Sequence, residues 1–177
     1  MSNLSFPLLL INRWDVELCE FCNRQSRNFI IRNLFRLASR LGDGVFWYLL
    51  MFALLLRYQA DALPAVLHMI AVGLTGTAVY KLIKGKTLRP RPFNIYPAIV
   101  CMGKALDQFS FPSGHTLHAA AFGIVAVYYF PALIWLVLPF SVLVALSRPI
   151  LGLHYPSDVL AGAALGAVIA GLALTLI

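Results

Sequence analysis

Residues that could do chemistry occur in three short polar clusters of a mostly apolar sequence. Lysine and arginine side chains bind phosphate, and arginine does so through a planar fork of donors. Histidine can transfer protons or attack an electrophile near neutral pH. These residue types together predict a site that handles a phosphoryl group. The clusters are residues 84–92, residues 112–115 and residues 147–158.

The second cluster is Pro112-Ser113-Gly114-His115, directly before a long apolar segment. A serine at this place predicts a helix start, because its hydroxyl caps exposed backbone N–H groups. Gly114 has no side chain to keep a ligand from the backbone. Since a helix N-terminus attracts anions, the cluster predicts an anion site with His115 as a proton donor beside it.

The composition predicts an integral membrane protein. Of the 177 residues, 60% are hydrophobic and 12% charged, and the mean hydropathy is +0.81. Soluble domains carry about 25% charged residues. With this apolar content, the net charge of +7 favours anionic lipid over nucleic acid as the partner. Residues 1–12 lack a basic n-region and predict no cleavable signal.

The three cysteines, Cys19, Cys22 and Cys101, do not suggest a disulfide framework, because their number is odd. Cys19 and Cys22 form a Cys-x-x-Cys pair with no second pair or suitably spaced histidines. A zinc site needs four ligands, so two buried thiols and no metal are expected.

Five apolar segments must position the clusters. In lipid, only helices or closed barrels give every backbone N–H and C=O group a hydrogen-bond partner. The prediction is an all-α, polytopic membrane helix bundle of about five transmembrane helices in a single domain, residues 1–177. Gly162 and Gly166 favour close helix contact. The segments are Val45–Tyr58, Ala62–Ile83, His115–Phe130, Ala132–Ser147 and Val159–Ile177.

The N-terminal region, residues 1–44, differs from these segments. Within residues 12–41, arginines interrupt an apolar pattern that recurs every three or four residues. This pattern is typical of one or two amphipathic helices at the membrane interface. A solvated helix packed on a partner is the alternative.

Five crossings would bring all three clusters to the same membrane face. Of the 14 basic residues, only Arg57 would then lie on the opposite face. The positive-inside rule therefore favours a cytoplasmic site.

The three clusters resemble the motifs of the type 2 phosphatidic acid phosphatase superfamily, which includes bacterial membrane lipid phosphatases and haloperoxidases. The family pattern is Lys, six residues and Arg-Pro; then Pro-Ser-Gly-His; then Ser-Arg, five residues, His, three residues and Asp. This sequence matches every position of the pattern between residues 84 and 158.

The resemblance implies a role for each matching residue. His154 would attack phosphorus to form a phosphohistidine, and Asp158 would orient its ring. His115 would protonate the leaving oxygen and then activate water. The phosphoryl group would be bound without metal or cofactor by Lys84, Arg91, Ser113, Gly114 and Arg148. Many relatives act on the outer face of the inner membrane, so the resemblance favours a periplasmic site.

Polar residues near the motifs are expected to have structural roles. Lys86 and Arg89 are expected to contact lipid headgroups rather than substrate. Asp107 is expected to pair with Lys104, and His118 is expected to pack against its neighbours rather than to line a cavity.

The sequence thus predicts a bacterial inner-membrane enzyme that hydrolyses a lipid phosphate monoester or diphosphate. Candidate substrates are phosphatidylglycerol phosphate, undecaprenyl diphosphate, phosphatidic acid and lipid A 1-phosphate. Two alternatives remain open. One is a lipid phosphotransferase of the same fold, and the other is a non-catalytic membrane binding or transport protein.

Overall fold

The structure, a computed structural model, describes residues 6–176 and the side chains from residue 13 onward. The predicted all-α fold is confirmed, since no strand forms within this range. Residues 1–5 belong to the segment 1–12, for which no cleavable signal was predicted, and they lie outside the described residues. The helices are α1 (Phe6–Gln25), α2 (Phe29–Arg40), α3 (Phe46–Tyr58), α4 (Leu63–Thr87), α5 (Pro92–Ile95), α6 (Gly114–Tyr129), α7 (Ile134–Ile150) and α8 (Pro156–Thr175).

The five predicted apolar segments correspond to helices α3, α4, α6, α7 and α8. Three helical stretches of the described chain are long and apolar enough to cross a membrane: Phe29–Thr87, Pro131–Ile150 and Pro156–Thr175. The first stretch contains α2, α3 and α4, which short turns connect. Helix α6 has 16 residues, fewer than the roughly 20 of a straight crossing. The chain is therefore an integral membrane protein, and its apolar helices differ in length.

Helix α6 lies at the centre of the bundle, where it packs against α4, α7 and α8. Gly162 and Gly166 on α8 face the backbone of Ser113 and Leu117, and a side chain at either glycine would collide with it. The predicted close helix contact is confirmed. It fixes the start of α6, and hence the second motif, against the start of α8.

Residues 12–41 form parts of two helices, α1 and α2. Asn28 separates the helices and caps α2, because its side chain accepts hydrogen bonds from the backbone N–H groups of Ile30 and Ile31. Both helices also contact α7. Cys19 is buried as predicted, whereas Cys22 is only half-buried. Large apolar side chains remain exposed along both helices: Trp14, Leu18, Phe21, Phe29, Ile30, Leu34 and Leu37.

A kinked turn, residues 41–45, joins α2 to α3. Gly44 has a φ of +133°, which an L side chain rarely adopts. A Cβ atom on Gly42 would lie 2.9 Å from a methyl group of Val144 on α7. The turn therefore needs both glycines, and it carries Asp43 between them.

Candidate active site

Residues from all three motifs line one cavity of about 360 Å³. Its walls come from the end of α4, the loop before α6, the start of α6, the end of α7 and the loop before α8. The chain thus brings together segments that are far apart in sequence. Of the residues predicted for the site, those in the lining are Lys84, Arg91, Gly114, His115, Arg148 and His154.

His154 is buried in the loop before α8, with its ring fixed at both nitrogens. Nδ1 lies 2.6 Å from the carbonyl oxygen of Ser110, so this nitrogen carries the hydrogen and donates it. Nε2 lies 3.2 Å from a guanidinium nitrogen of Arg91 and accepts from it. Burial, followed by the charges of Arg148, Arg91 and Lys84, lowers the pKa of His154 well below its ordinary range. The ring is therefore neutral, and its Nε2 lone pair accepts from Arg91, which lines the cavity with it.

Asp158 lies behind this ring, outside the cavity lining. Its Oδ2 is 3.6 Å from Nδ1 of His154 and accepts a 2.9 Å hydrogen bond from the backbone N–H of Tyr155. The sequence predicted that Asp158 would hold the ring directly, but the Ser110 carbonyl makes that hydrogen bond. Sequence reasoning missed Ser110 because a backbone acceptor is not encoded by residue type.

Arg89 does not extend toward lipid headgroups, so this expectation is wrong. Its guanidinium donates to Asp158 at 2.6 Å, to Ser157 at 2.8 Å and to Asp15 of α1 at 2.6 Å. It also lies 4.0 Å from the centre of the Tyr155 ring. Arg89 therefore joins α1 to the start of α8, beside the loop that carries His154.

Asp107 pairs with Lys84 and Arg91, and the expected pair with Lys104 is wrong. Lys84 Nζ lies 2.9 and 2.7 Å from the two carboxylate oxygens, and an Arg91 nitrogen lies 2.9 Å from Oδ1. Burial raises the pKa of Asp107, but the hydrogen bonds and charges of the two cations outweigh it and lower that pKa. Asp107 thus stays ionised and holds both cations at the cavity.

Arg148 is buried at the end of α7, where one guanidinium nitrogen donates to the hydroxyl of Ser39 at 2.6 Å. Its Nε is also buried and has no hydrogen-bond partner among the described residues. A buried donor without a partner is costly, so Arg148 has free capacity for an anion.

The start of α6 has the predicted cap. Ser113 accepts a hydrogen bond from the backbone N–H of Thr116, and its hydroxyl lies 3.0 Å from the Thr116 hydroxyl. Ser113 is fully buried and outside the cavity lining, whereas Gly114 and His115 are in it. Nε2 of His115 hydrogen-bonds the carboxylate of Asp43. Sequence reasoning treated residues 41–44 only as a helix break and missed this carboxylate.

The cavity extends from the cationic end into an apolar groove between α3, α4 and α6. His118, expected to pack rather than to line a cavity, does line it, 2.9 Å from the Gly114 carbonyl and 3.2 Å from the Gly73 carbonyl. The groove side chains are Trp47, Tyr48, Met51, Met69, Ile70 and Phe122.

Comparisons with known proteins find phosphatases among the relatives of this chain. The chain is 43% identical over 94 residues to a decaprenylphosphoryl-5-phosphoribose phosphatase of Mycobacterium tuberculosis, covering 52% of this chain and 50% of the relative. It is 32% identical over 127 residues to an undecaprenyl-diphosphatase of Bacillus subtilis, covering 72% of this chain and 65% of the relative. The chain thus spans about half to two thirds of the length of these curated relatives.

The fold is similar to that of a transmembrane phosphatidylglycerolphosphate phosphatase from Bacillus subtilis. The two structures superpose with a TM-score of 0.75 at 24% identity, over 94% of this chain and 86% of the other. The family model of the PAP2 superfamily matches residues 61–177, which include all three motifs. The chain belongs to the PAP2 superfamily.

Proposed function

We propose that this protein is a membrane lipid phosphatase that hydrolyses a phosphate monoester or diphosphate through a phosphohistidine on His154. One observation carries the proposal: Lys84, Arg91 and Arg148 form a cationic cup that is continuous with the apolar groove. His154 and His115 both line this single cavity. A cup of this kind binds the phosphoryl group, and the groove accepts the lipid chain.

The first half of the reaction transfers the phosphoryl group to the enzyme. Lys84, Arg91 and Arg148 surround the phosphoryl oxygens, and Nε2 of His154 attacks phosphorus. The bond between phosphorus and the lipid oxygen breaks as His115 donates a proton to that oxygen. Phosphoryl transfer depends mainly on positioning and charge stabilisation, which three cations supply here.

The second half frees phosphate. A water molecule attacks the phosphohistidine while His115 accepts its proton, and the bond between phosphorus and Nε2 breaks. His154 then returns to its neutral form, still donating from Nδ1 to the Ser110 carbonyl. Arg91 stabilises the charge on the phosphoryl oxygens in both halves because its guanidinium lies beside Nε2.

The exposed surfaces of α1 and α2 support a placement of the cavity at the membrane interface. The exposed apolar side chains of α1 and α2 contact the lipid interface, while the arginines of these helices face anionic headgroups. Arg89 ties α1 to the cationic end of the cavity, so the cup lies at the level of the interface. A lipid substrate enters from the same leaflet, in the inner membrane of a bacterium.

The test is phosphate release from a panel of purified lipid phosphates in detergent. The panel contains phosphatidylglycerol phosphate, undecaprenyl diphosphate, phosphatidic acid and lipid A 1-phosphate. We expect His154→Gln to abolish release, while EDTA has no effect. The matched control is His68→Gln, since His68 lies outside the cavity lining and hydrogen-bonds Tyr129 at 2.7 Å. Full activity of His154→Gln, or loss of activity in EDTA, would refute the mechanism.

A further inference from the structure

We infer that Asp43 is a positioning residue for the reaction: its carboxylate orients His115 and stabilises the imidazolium form that gives a proton to the leaving oxygen. This inference rests on the proposed function. It adds a residue from the turn between α2 and α3, which lies outside all three motifs.

The contact between Asp43 and His115 occurs inside the cavity. The carboxylate accepts from Nε2 of His115, and both residues line the same space. The side chains are 33% and 9% exposed, respectively, so the pair is largely shielded from solvent. Gly42 packs against Val144 and Gly44 adopts φ +133°, so the turn holds Asp43 toward α6.

The charges around His115 explain why a carboxylate is needed there. A general acid must carry a proton, but burial, followed by the charge of Arg148, lowers the pKa of His115 to about 4. The hydrogen bond and the charge of Asp43 oppose this shift and raise the pKa. Asp107 already pairs with Lys84 and Arg91. Asp43 is the carboxylate that contacts His115 itself among the described residues. The charged or titratable groups that line the cavity with His115 are Asp43, Tyr48, Tyr80, Lys84, Arg91, Asp107, His118, Arg148 and His154.

The proton path follows from the nitrogen that Asp43 occupies. Nε2–H donates to the carboxylate throughout, so Nδ1 is the nitrogen that serves the reacting oxygen. In the first half Nδ1–H passes its proton to the lipid oxygen as the phosphorus–oxygen bond breaks and His154 bonds to phosphorus. In the second half Nδ1 takes a proton from the attacking water. Asp43 stays ionised in both halves, and its charge offsets the imidazolium that is present before the first half and formed again in the second.

The experiment compares leaving groups. General acid catalysis contributes about 100- to 10,000-fold when the leaving group is an alkoxide and little when it is an aryloxide. We expect Asp43→Asn to lower kcat/KM about 10- to 100-fold on a lipid phosphate monoester, whose leaving group is an alkoxide, and less than about threefold on p-nitrophenyl phosphate. The parameter kcat/KM isolates formation of the phosphohistidine, so slow hydrolysis of this intermediate does not obscure the comparison.

Two further measurements separate positioning from folding. On the lipid phosphate, the alkaline limb of kcat/KM should move to lower pH in Asp43→Asn, because the imidazolium loses its counter-charge. Asp43→Glu should restore part of the rate. The control is Asp61→Asn, which removes an exposed carboxylate from the turn between α3 and α4. It should leave kcat/KM unchanged on both substrates.

Several results would overturn the inference. Equal losses on both substrates would indicate a structural role. A higher rate or lower KM in Asp43→Asn would indicate that the carboxylate competes with phosphate for the cup. An unchanged lipid rate would remove Asp43 from the reaction. In each case the wild type is active, whereas failure of the proposed function would appear as an inactive wild type on every lipid phosphate.

Discussion

Arg89→Met tests whether the link between α1 and α8 supports the site. Arg89 donates to the carboxylates of Asp15 and Asp158, whose side chains are only 4% and 0% exposed. The methionine keeps the length of the side chain but leaves both buried carboxylates without their cation. Because charges without a partner are costly away from water, the loss of stability should greatly exceed that of a surface charge.

The magnitude follows from the burial of the pair. Breaking a buried ion pair costs about 3–5 kcal/mol, and the 25% exposure of Arg89 places this variant near the lower value, about 3 kcal/mol. In a chain of this length, each kcal/mol corresponds to about 2–4 °C. We therefore expect the Tm in detergent to fall by about 6–12 °C.

The assay is thermal unfolding in detergent together with phosphate release at a temperature where the variant is folded. Phosphate release should also fall, because Asp158 accepts from the backbone of Tyr155, next to His154. The matched control is Lys86→Met, which removes an exposed cation three residues away. The double variant Arg89→Met/Asp15→Asn should recover about 1–2 kcal/mol of the free energy of unfolding, because it removes one of the two buried carboxylates that lack a cation. A Tm for Arg89→Met within about 2 °C of the Lys86→Met control would refute the reasoning.

Two more predictions concern buried groups. The pKa of His154 in the folded protein lies below that of an unfolded histidine, so the unfolded state binds more protons and stability falls as the pH drops below about 6.5. The Tm should therefore decrease more steeply between about pH 6.5 and pH 5 in the wild type than in His154→Gln, and parallel curves would contradict this. Gly162→Ala should destabilise the protein and lower phosphate release, because its Cβ would collide with the backbone of Ser113. Gly171→Ala, where nothing lies within 4 Å, should leave both properties unchanged, and an equal effect of the two substitutions would contradict the packing argument.

The fold was largely predictable because the apolar segments are long and contain few interruptions. These segments form helices because a backbone in lipid must make its hydrogen bonds internally. The close contact at Gly162 was predictable because glycine has no side chain to keep two helices apart. The sequence did not predict how far each segment spans. The break that Gly42 and Gly44 indicated is confirmed, because Gly44 leaves helical geometry between α2 and α3 with a φ of +133°. Helix α4 continues to Thr87, past the predicted end of its segment at Ile83.

The motif residues were predictable as a set, because their spacing matches a known pattern, but their partners were not. Asp43 and Asp15 lie about 70 residues before the groups they contact, and no periodicity relates them. Arg89 illustrates the same limit: a basic residue beside a membrane segment is typical of headgroup contact. Only the packed structure puts two buried carboxylates within its reach.

The pairing of the cations also indicates where a phosphoryl group adds the most binding energy. Lys84 and Arg91 share the carboxylate of Asp107, and their remaining hydrogen bonds go to backbone carbonyl groups and, from Arg91, to Nε2 of His154. Arg89 is fully engaged by Asp15 and Asp158. Arg148 differs, because its donors meet a single hydroxyl and its buried Nε meets no described residue. An anion that binds there satisfies a donor that the empty site leaves costly, whereas at Lys84 it must share the cation with a carboxylate. The largest gain in binding free energy from phosphate therefore comes from Arg148, at the end of α7. Lys84 and Arg91 contribute less, because Asp107 already neutralises part of their charge.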